Sequence, residues 1–199
     1  IDLMCAYGPS ILGYKNPEVE EAANSQDSEG NTVSLASPVM VDLASNLVEM
    51  VDAADWALFG KNGGDSTSLA VMVAREATGK EKIVKIQDGY HGVAPWMQGK
   101  DHPGIIASDD AKVITIEWND LESFEKVLAE QSDEIACFIS SPYDHPVSRD
   151  NTLPEEGYWQ GISKLCKENN VILIIDDVRA GFRINLSGSR DQIFNLSVN

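Results

Sequence analysis

An α/β fold, a mostly parallel sheet flanked by helices, is what this sequence predicts, and three observations predict it. After residue 50, short apolar and β-branched runs alternate with longer helical stretches. One run, Val171-Ile172-Leu173-Ile174-Ile175, has no polar alternation, the pattern of a strand covered on both faces. Capping residues stand at the ends of the helical stretches. Strand–helix alternation implies layers joined by right-handed crossovers.

The elements follow in chain order. Ser37-Pro38 sets a capping hydroxyl before a proline at the first helical position, and that helix should run to about Val51. Asp55–Phe59 is the first strand candidate. A helix is predicted from Asp65 to Thr78, closed by Gly79 as a left-handed cap. Strands are predicted at Lys82–Ile86, Lys112–Ile116, Ile135–Ser140 and Val171–Ile175, the last placed centrally. Asn119 and Glu122 read as a capping box for a helix whose Leu121, Phe124, Val127 and Leu128 form an apolar stripe. Pro154 should open a further helix, with Trp159, Ile162, Leu165 and Cys166 facing the core. Two regions break this rhythm. Asn24–Thr32 is polar and acidic and reads as an exposed loop, whereas Gln87–Ser108 is long for a connection, a length at which loops are often functional.

Composition narrows the function classes. The chain has 199 residues, 43% hydrophobic and 24% charged, enough to bury a core. No apolar run reaches the roughly 18 residues of a membrane span. A net charge of -17 repels phosphate backbones and anionic lipid, so neither nucleic acid nor a membrane surface is an expected partner. Cys5, Cys137 and Cys166 show no metal-ligand spacing, and the last two lie in apolar stretches where cysteine acts as a small hydrophobe. No metal is expected, and a reducing, cytoplasmic location is.

Three constellations fall beyond strand ends, where open α/β sheets bind ligands. Phe59-Gly60-Lys61-Asn62-Gly63-Gly64-Asp65-Ser66-Thr67 joins a strand candidate to a helix start through glycines. Its free N–H groups and dipole suit an anion, although a plain turn capped by Asp65 or Ser66 has the same look. Asp88-Gly89-Tyr90-His91-Gly92 puts an aromatic ring and an imidazole at a strand end, suited to a planar ligand or to an ordinary turn. Asp176-Asp177-Val178-Arg179-Ala180-Gly181-Phe182-Arg183 sets two carboxylates after a buried strand, which calls for a partner. A protonated pyridine nitrogen, a metal ion, or Arg179 and Arg183 would each serve.

Together these motifs resemble the class III aminotransferases that use pyridoxal 5'-phosphate (PLP), of the glutamate-1-semialdehyde aminomutase type. Asp2-Leu3-Met4-Cys5-Ala6-Tyr7-Gly8-Pro9 through Pro17-Glu18-Val19 is similar to the segment that precedes the cofactor site in that family, and the three motifs follow in its order and at its spacing. The resemblance implies the large domain of the fold type I PLP-dependent transferases, here incomplete. Residues 1–50 would lead into it, residues 51–199 would be part of the PLP-binding domain, and the C-terminal small domain would be absent. It also implies site roles. Gly63, Gly64 and Asp65 would lie at the cofactor's phosphate, Tyr90 with His91 beside the pyridine ring, and Val178 against the other ring face. Asp176 would be the catalytic carboxylate on the ring nitrogen, with Asp177 and Arg183 in support.

The sequence also departs from the family. Gly64 stands where a threonine or serine is usual. Ser140-Ser141-Pro142-Tyr143-Asp144-His145 replaces a common Glu-Pro pair, which makes Asp144 or His145 candidates for that role. The family lysine that binds PLP covalently follows the motif aspartate by roughly 28 residues, and only 23 residues follow Asp176. The stretch Ser189–Asn199 also drifts from the family pattern. A fragment of a homodimeric enzyme acting on a small-molecule amino donor and acceptor is therefore the expectation. A non-catalytic binding or scaffold protein on the same fold is the alternative, and an acidic signalling-receiver pocket at Asp176-Asp177 is a weaker third.

Overall fold

The computed structural model describes residues 1–190, apart from Met4, Lys100 and Val147. The described residues form six α-helices and four strands: α1 Pro17–Glu29, α2 Pro38–Met50, α3 Gly63–Thr78, β1 Lys82–Ile86, α4 Ala107–Asp110, β2 Val113–Ile116, α5 Leu121–Gln131, β3 Ile135–Ser140, α6 Tyr158–Glu168 and β4 Ile172–Ile175. The strands form one parallel sheet in the order β2-β1-β3-β4.

Side-chain alternation along the strands supplies two faces. On one, Val84, Ile86, Ile116 and Phe138 pack with Phe124 and Leu128 of α5 and with Trp159 and Ile162 of α6. On the other, Ile83 and Cys137 pack with Val71 and Ala74 of α3. The sheet is thus sandwiched between helices, as the alternation predicts. Burial pushes the Cys137 and Cys166 thiols up to about 12, consistent with their reading as inert hydrophobes.

Several expectations need correction. Asp55–Phe59 is no strand: it runs outside the sheet with Trp56 63% and Leu58 57% exposed, because no neighbouring ladder receives it. β4 lies at an edge of the described sheet rather than at its centre, and β3, buried at all six positions, holds the inner place beside β1. β4 is also covered only in part, with none of its four residues buried and Ile172 38% exposed, because an apolar run says nothing of cover at the edges. Asn24–Thr32 is not all loop. α1 continues to Glu29, since Asn16 accepts from the Glu18 and Val19 amides, Pro17 starts the helix, and Gly30 closes it at φ 128°.

The remaining differences lie at helix starts. α3 begins two residues early because Asn62, not Asp65 or Ser66, is its cap. The α5 cap is Asp120, accepting from the Ser123 amide, while the Asn119 side chain accepts instead from the Glu155 amide. α6 starts at Tyr158 after Gly157 at φ 82°, four residues beyond Pro154. The long Gln87–Ser108 connection holds a 3-10 turn at Pro95–Met97 and the first residues of α4. Of Ser189–Asn199, the part past Arg190 lies outside the described residues.

Candidate functional site

The site forms where the C-terminal ends of β1, β3 and β4 meet the N-terminus of α3. Its first component is that helix end. The Asn62 side chain accepts from the Asp65 amide at 3.0 Å, and the Asp65 carboxylate accepts from the Lys61 amide and the Asn62 side-chain amide, both at 3.2 Å. These bonds fix the turn and consume the Asp65 side chain. The Gly63 and Gly64 amides, in the first helical turn, have no acceptor within the helix and lie at the positive end of its dipole.

The second component lies against the first. A Cβ on Gly92 (φ +118°) would come within 2.8 Å of the Gly64 Cα, so here glycine is required both by conformation and by close approach. The same arrangement accounts for Gly64, where a Cβ would meet the Asn62 Oδ1 at 3.2 Å. Thr67, buried in α3, donates its hydroxyl to the His91 carbonyl at 2.7 Å and so ties this loop to the helix.

The third component is delivered by β4. The Asp176 amide donates to the Ser140 carbonyl at 2.9 Å, continuing the ladder one residue past the strand. One Asp176 carboxylate oxygen lies 2.8 Å from His91 Nδ1, and the other accepts from the Val178 amide at 3.3 Å. Their side chains are 9% and 1% exposed respectively. An ionised carboxylate only accepts, so His91 Nδ1 carries the hydrogen. A Cβ on Gly63 would lie 3.3 Å from Val178 Cγ2. Val178 and Tyr90 are otherwise open, at 64% and 65% exposure. The motifs, distant in sequence, are thereby joined at three points: Gly64 with Gly92, His91 with Asp176, and Gly63 with Val178.

The two aspartates do not act together. The Asp177 carboxylate accepts from the Ser189 amide at 2.9 Å and the Ser189 hydroxyl at 2.6 Å, away from Asp176. Neither pairs with Arg179 or Arg183 among the described ion pairs. Arg183 instead donates to the Gly8 carbonyl at 2.6 and 2.9 Å and to the Val178 carbonyl at 2.9 Å, and Arg179 lies 5.4 Å over the Tyr7 ring. No group of three or more metal-ligating side chains occurs among the described residues, and the split carboxylates do not form a receiver's acidic pocket.

Beside His91, a narrow cleft is lined by Ser140, Ser141, Tyr143, Asp144 and His145 together with Asp88, Gly89 and Trp118. Here the structure separates the two candidates in that segment. Asp144 is buried, ion-paired to Arg149 and held by a two-bond bridge to Thr152, so it is committed elsewhere. His145 is half-buried, with Nε2 2.9 Å from the Ser141 hydroxyl. Burial, and after it the nearby Arg179 cation, holds its imidazole below the ordinary value. Three participants carried no role in the sequence reading: Asn62 as cap, Thr67 as loop tie, and Lys85, whose signal was a charge inside a buried strand.

Comparison with known proteins identifies the family and the fold. The family described as "Aminotransferase class-III" matches residues 1–189. An aminopentol aminotransferase of Sphingopyxis macrogoltabida is 41% identical over 184 residues, covering 92% of this chain and 43% of that protein. A glutamate-1-semialdehyde 2,1-aminomutase of Methanothermobacter thermautotrophicus is 32% identical over 200 residues, covering 96% of this chain and 47% of that protein. The solved FumI protein of a Sphingopyxis species, in its PLP internal aldimine form, superposes with a TM-score of 0.86 at 42% identity, over 92% of this chain and 44% of the other. A glutamate-1-semialdehyde aminomutase of Pseudomonas aeruginosa shares the fold at a TM-score of 0.85 and 20% identity, over 99% of this chain and 44% of that one. The chain thus spans less than half the length of these relatives.

Proposed function

Because the chain belongs to the class-III aminotransferase family, we propose that it supplies the PLP-binding half-site of an enzyme that moves an amino group between small molecules. One observation carries the reading: the buried Asp176–His91 pair, 2.8 Å apart, adjoins Gly92, which packs against Gly64 at the N-terminus of α3. The residues present fit the cofactor. A phosphate matches the Gly63 and Gly64 amides, and the tight Gly64–Gly92 approach lets backbone come close to it. A planar ring matches the two exposed apolar surfaces of Tyr90 and Val178.

When bound, PLP would supply an electron sink for the charge left on a substrate carbon after proton removal. The protein's part is positional and electrostatic. Asp176 would accept the proton-bearing ring nitrogen and hold that proton in place. His91, donating to Asp176, fixes the carboxylate's direction. Thr67 holds the His91 backbone, so ring end and phosphate end are set by one loop. His145, a neutral imidazole, would serve where many family members carry a carboxylate, making the site one negative charge poorer.

On substrate, the 41% identity to an aminopentol aminotransferase supports transfer from an amine to a separate carbonyl acceptor. Glutamate 1-semialdehyde or a related amino-aldehyde is the second candidate, supported by the aminomutase relatives. We also propose a homodimer, supported by the many exposed apolar side chains of residues 1–58. A reducing, cytoplasmic setting fits the three free cysteines; no helix among the described residues is long and apolar enough to cross a membrane. Residues 1–50 would lead into the large domain that 51–199 begin.

The test is to incubate the full-length protein containing this chain with PLP, reduce it with borohydride and measure its intact mass. One pyridoxyl adduct, and amino transfer from an amine to a 2-oxo acid, is the expected result. A full-length protein showing neither adduct nor transfer would sink the enzyme reading and leave the scaffold alternative.

A further inference from the structure

One buried charge remains outside this account. Lys85 sits between Val84 and Ile86 of β1, is 4% exposed, and points to the α3 face of the sheet with Ile83. Among the described residues it makes no ion pair. Burial lowers its pKa, with Asp88 the acid that opposes that shift. An uncompensated buried ammonium is costly, and an apolar side chain of similar length would fill the same space more cheaply. Its hydrogen bonds indicate what it is there to hold. The ammonium donates to the Met97 carbonyl at 2.6 Å and to the Gly89 carbonyl at 3.3 Å, the two ends of the loop that carries Tyr90, His91 and Gly92.

That loop is gripped through its carbonyls at other points as well. Thr67 holds the His91 carbonyl, and the Gln98 side chain holds that of Gly92 at 2.8 Å. Met97, fixed by Lys85, in turn stands behind Gly92, where a Cβ would meet the Met97 sulfur at 2.9 Å on one side and the Gly64 Cα at 2.8 Å on the other. The seat of Gly92 against the α3 N-terminus therefore depends on where Lys85 puts the loop ends. A buried positive charge beneath this loop also adds to a helix dipole that must attract an anion within a chain of net charge -17.

We propose that Lys85 is a positioning residue for the phosphate end of the cofactor site, its ammonium clamping the Gly89 and Met97 carbonyls so that Gly92 is seated against Gly64. This rests on the PLP reading above. It predicts that Lys85 matters for a phosphorylated ligand far more than for the same ring without phosphate.

The experiment measures dissociation constants of PLP and of pyridoxal, which lacks the phosphate, for the full-length protein and for Lys85→Met. The expected result is PLP binding weakened on the order of tenfold, the scale of losing a charged hydrogen bond, with pyridoxal changed by less than about twofold and the thermal midpoint read alongside. Lys85→Arg, which keeps charge and donors, should recover part of the loss. If Lys85→Met does not fold, Lys85→Gln reads the same PLP-to-pyridoxal ratio. An unchanged ratio, whether both ligands bind as before or both weaken equally, would overturn the proposal by reducing Lys85 to a structural role. Wild-type protein that binds neither compound would sink the cofactor reading itself, and this proposal with it.

Discussion

Residues 1–62 and residues 63–190 carry equally complete local folding signals and bury very different amounts of side chain. α1 has an asparagine cap, a proline start and a glycine stop, and α2 has a serine cap and a proline start, yet neither helix buries a single residue. α3, α5 and α6 are no better capped but bury Val71, Phe124, Leu128, Trp159 and Ile162 completely or nearly so. Caps decide where a helix begins and ends. A helix of 13 residues is marginal in water without packing, so what keeps it is the surface it covers. α2 makes the point sharply, since Val39, Val41 and Leu43 are 52%, 55% and 45% exposed. It is apolar enough to need cover and finds only partial cover, at Ala44, Leu47 and Val48, among the described residues.

The largest test of this contrast is a pair of truncations. Phe138, fully buried in β3, packs 5.0 Å from the Phe124 ring and 6.4 Å from Trp159. Phe138→Ala should cost about 3–5 kcal/mol in chemical denaturation of this chain. Leu43→Ala should cost about 0.5 kcal/mol or less there, being a surface change. Repeating the pair in the full-length protein sharpens the comparison: a Leu43→Ala cost that rises toward the core value would mean α2 is covered in that protein. A cost unchanged in both would mean its apolar face stays open.

A smaller effect is expected at the site. Asp176→Ala removes the acceptor of a buried imidazole and should destabilise the chain by about 2 kcal/mol, the scale of a hydrogen bond to a charged group. Asp176→Asn keeps an acceptor and should cost less, while still removing the charge proposed to hold the ring nitrogen. Urea titration of both variants checks the first statement, and their PLP affinity in the full-length protein checks the second. Equal stability for Asp176→Ala and wild type would show that the 2.8 Å contact contributes nothing to the fold.

Smaller again is the link between the two regions. Arg183 donates to the Gly8 carbonyl through two nitrogens, and Arg179 lies over the Tyr7 ring. Arg183→Ala should cost about 1 kcal/mol and should act locally, by freeing the N-terminal segment. Limited proteolysis is the readout: cleavage within residues 1–14 should quicken while cleavage in the sheet region does not. Uniform acceleration along the chain would show that Arg183 supports the core instead.

The same contrast explains what could be read in the sequence. β1 and β3 were legible to the residue, and β2 and β4 to within one, because short β-branched, apolar runs between helical stretches mark strands. Edge or centre was not legible, since it depends on which distant strand pairs alongside, and among the described residues β4 lacks the second neighbour that β3 has. Asp55–Phe59 has a strand's composition without a ladder to join. At the site, the three motifs could be found by glycine and charge placement, but their joining could not: the Gly64–Gly92 and His91–Asp176 approaches exist only through the register of β1, β3 and β4. Lys85 could have been found, as a charge between Val84 and Ile86 inside a buried strand, which had to be answered by some acceptor. That Asp144 is engaged and His145 available rests on the Thr152 bridge and Arg149, contacts that no periodicity encodes.

The smallest expected effect concerns that histidine. His145 faces the Ser141 hydroxyl and the Tyr143 ring of its own segment, Asp176 and Arg179 from the end of β4, and His91 from the end of β1. Burial and Arg179 depress its pKa in the folded chain below the ordinary 6.5, more than Asp176 restores it. Between the depressed folded value and 6.5, the unfolded chain binds a proton that the folded chain does not. Stability should therefore be level above 6.5 with respect to this group, and fall as the pH drops from 6.5 toward the folded value. His145→Gln cannot titrate, so the difference between the two stability curves isolates the histidine from the many carboxylates. The expected difference grows on acidification through that window and is flat above it. A difference flat throughout would mean that His145 titrates as it does in water, and that the Ser141 contact does not hold it in the cleft. A neutral His145 is also what the site needs if Asp176 is to keep its carboxylate for the ring nitrogen, because a cation at His145 would compete for that charge.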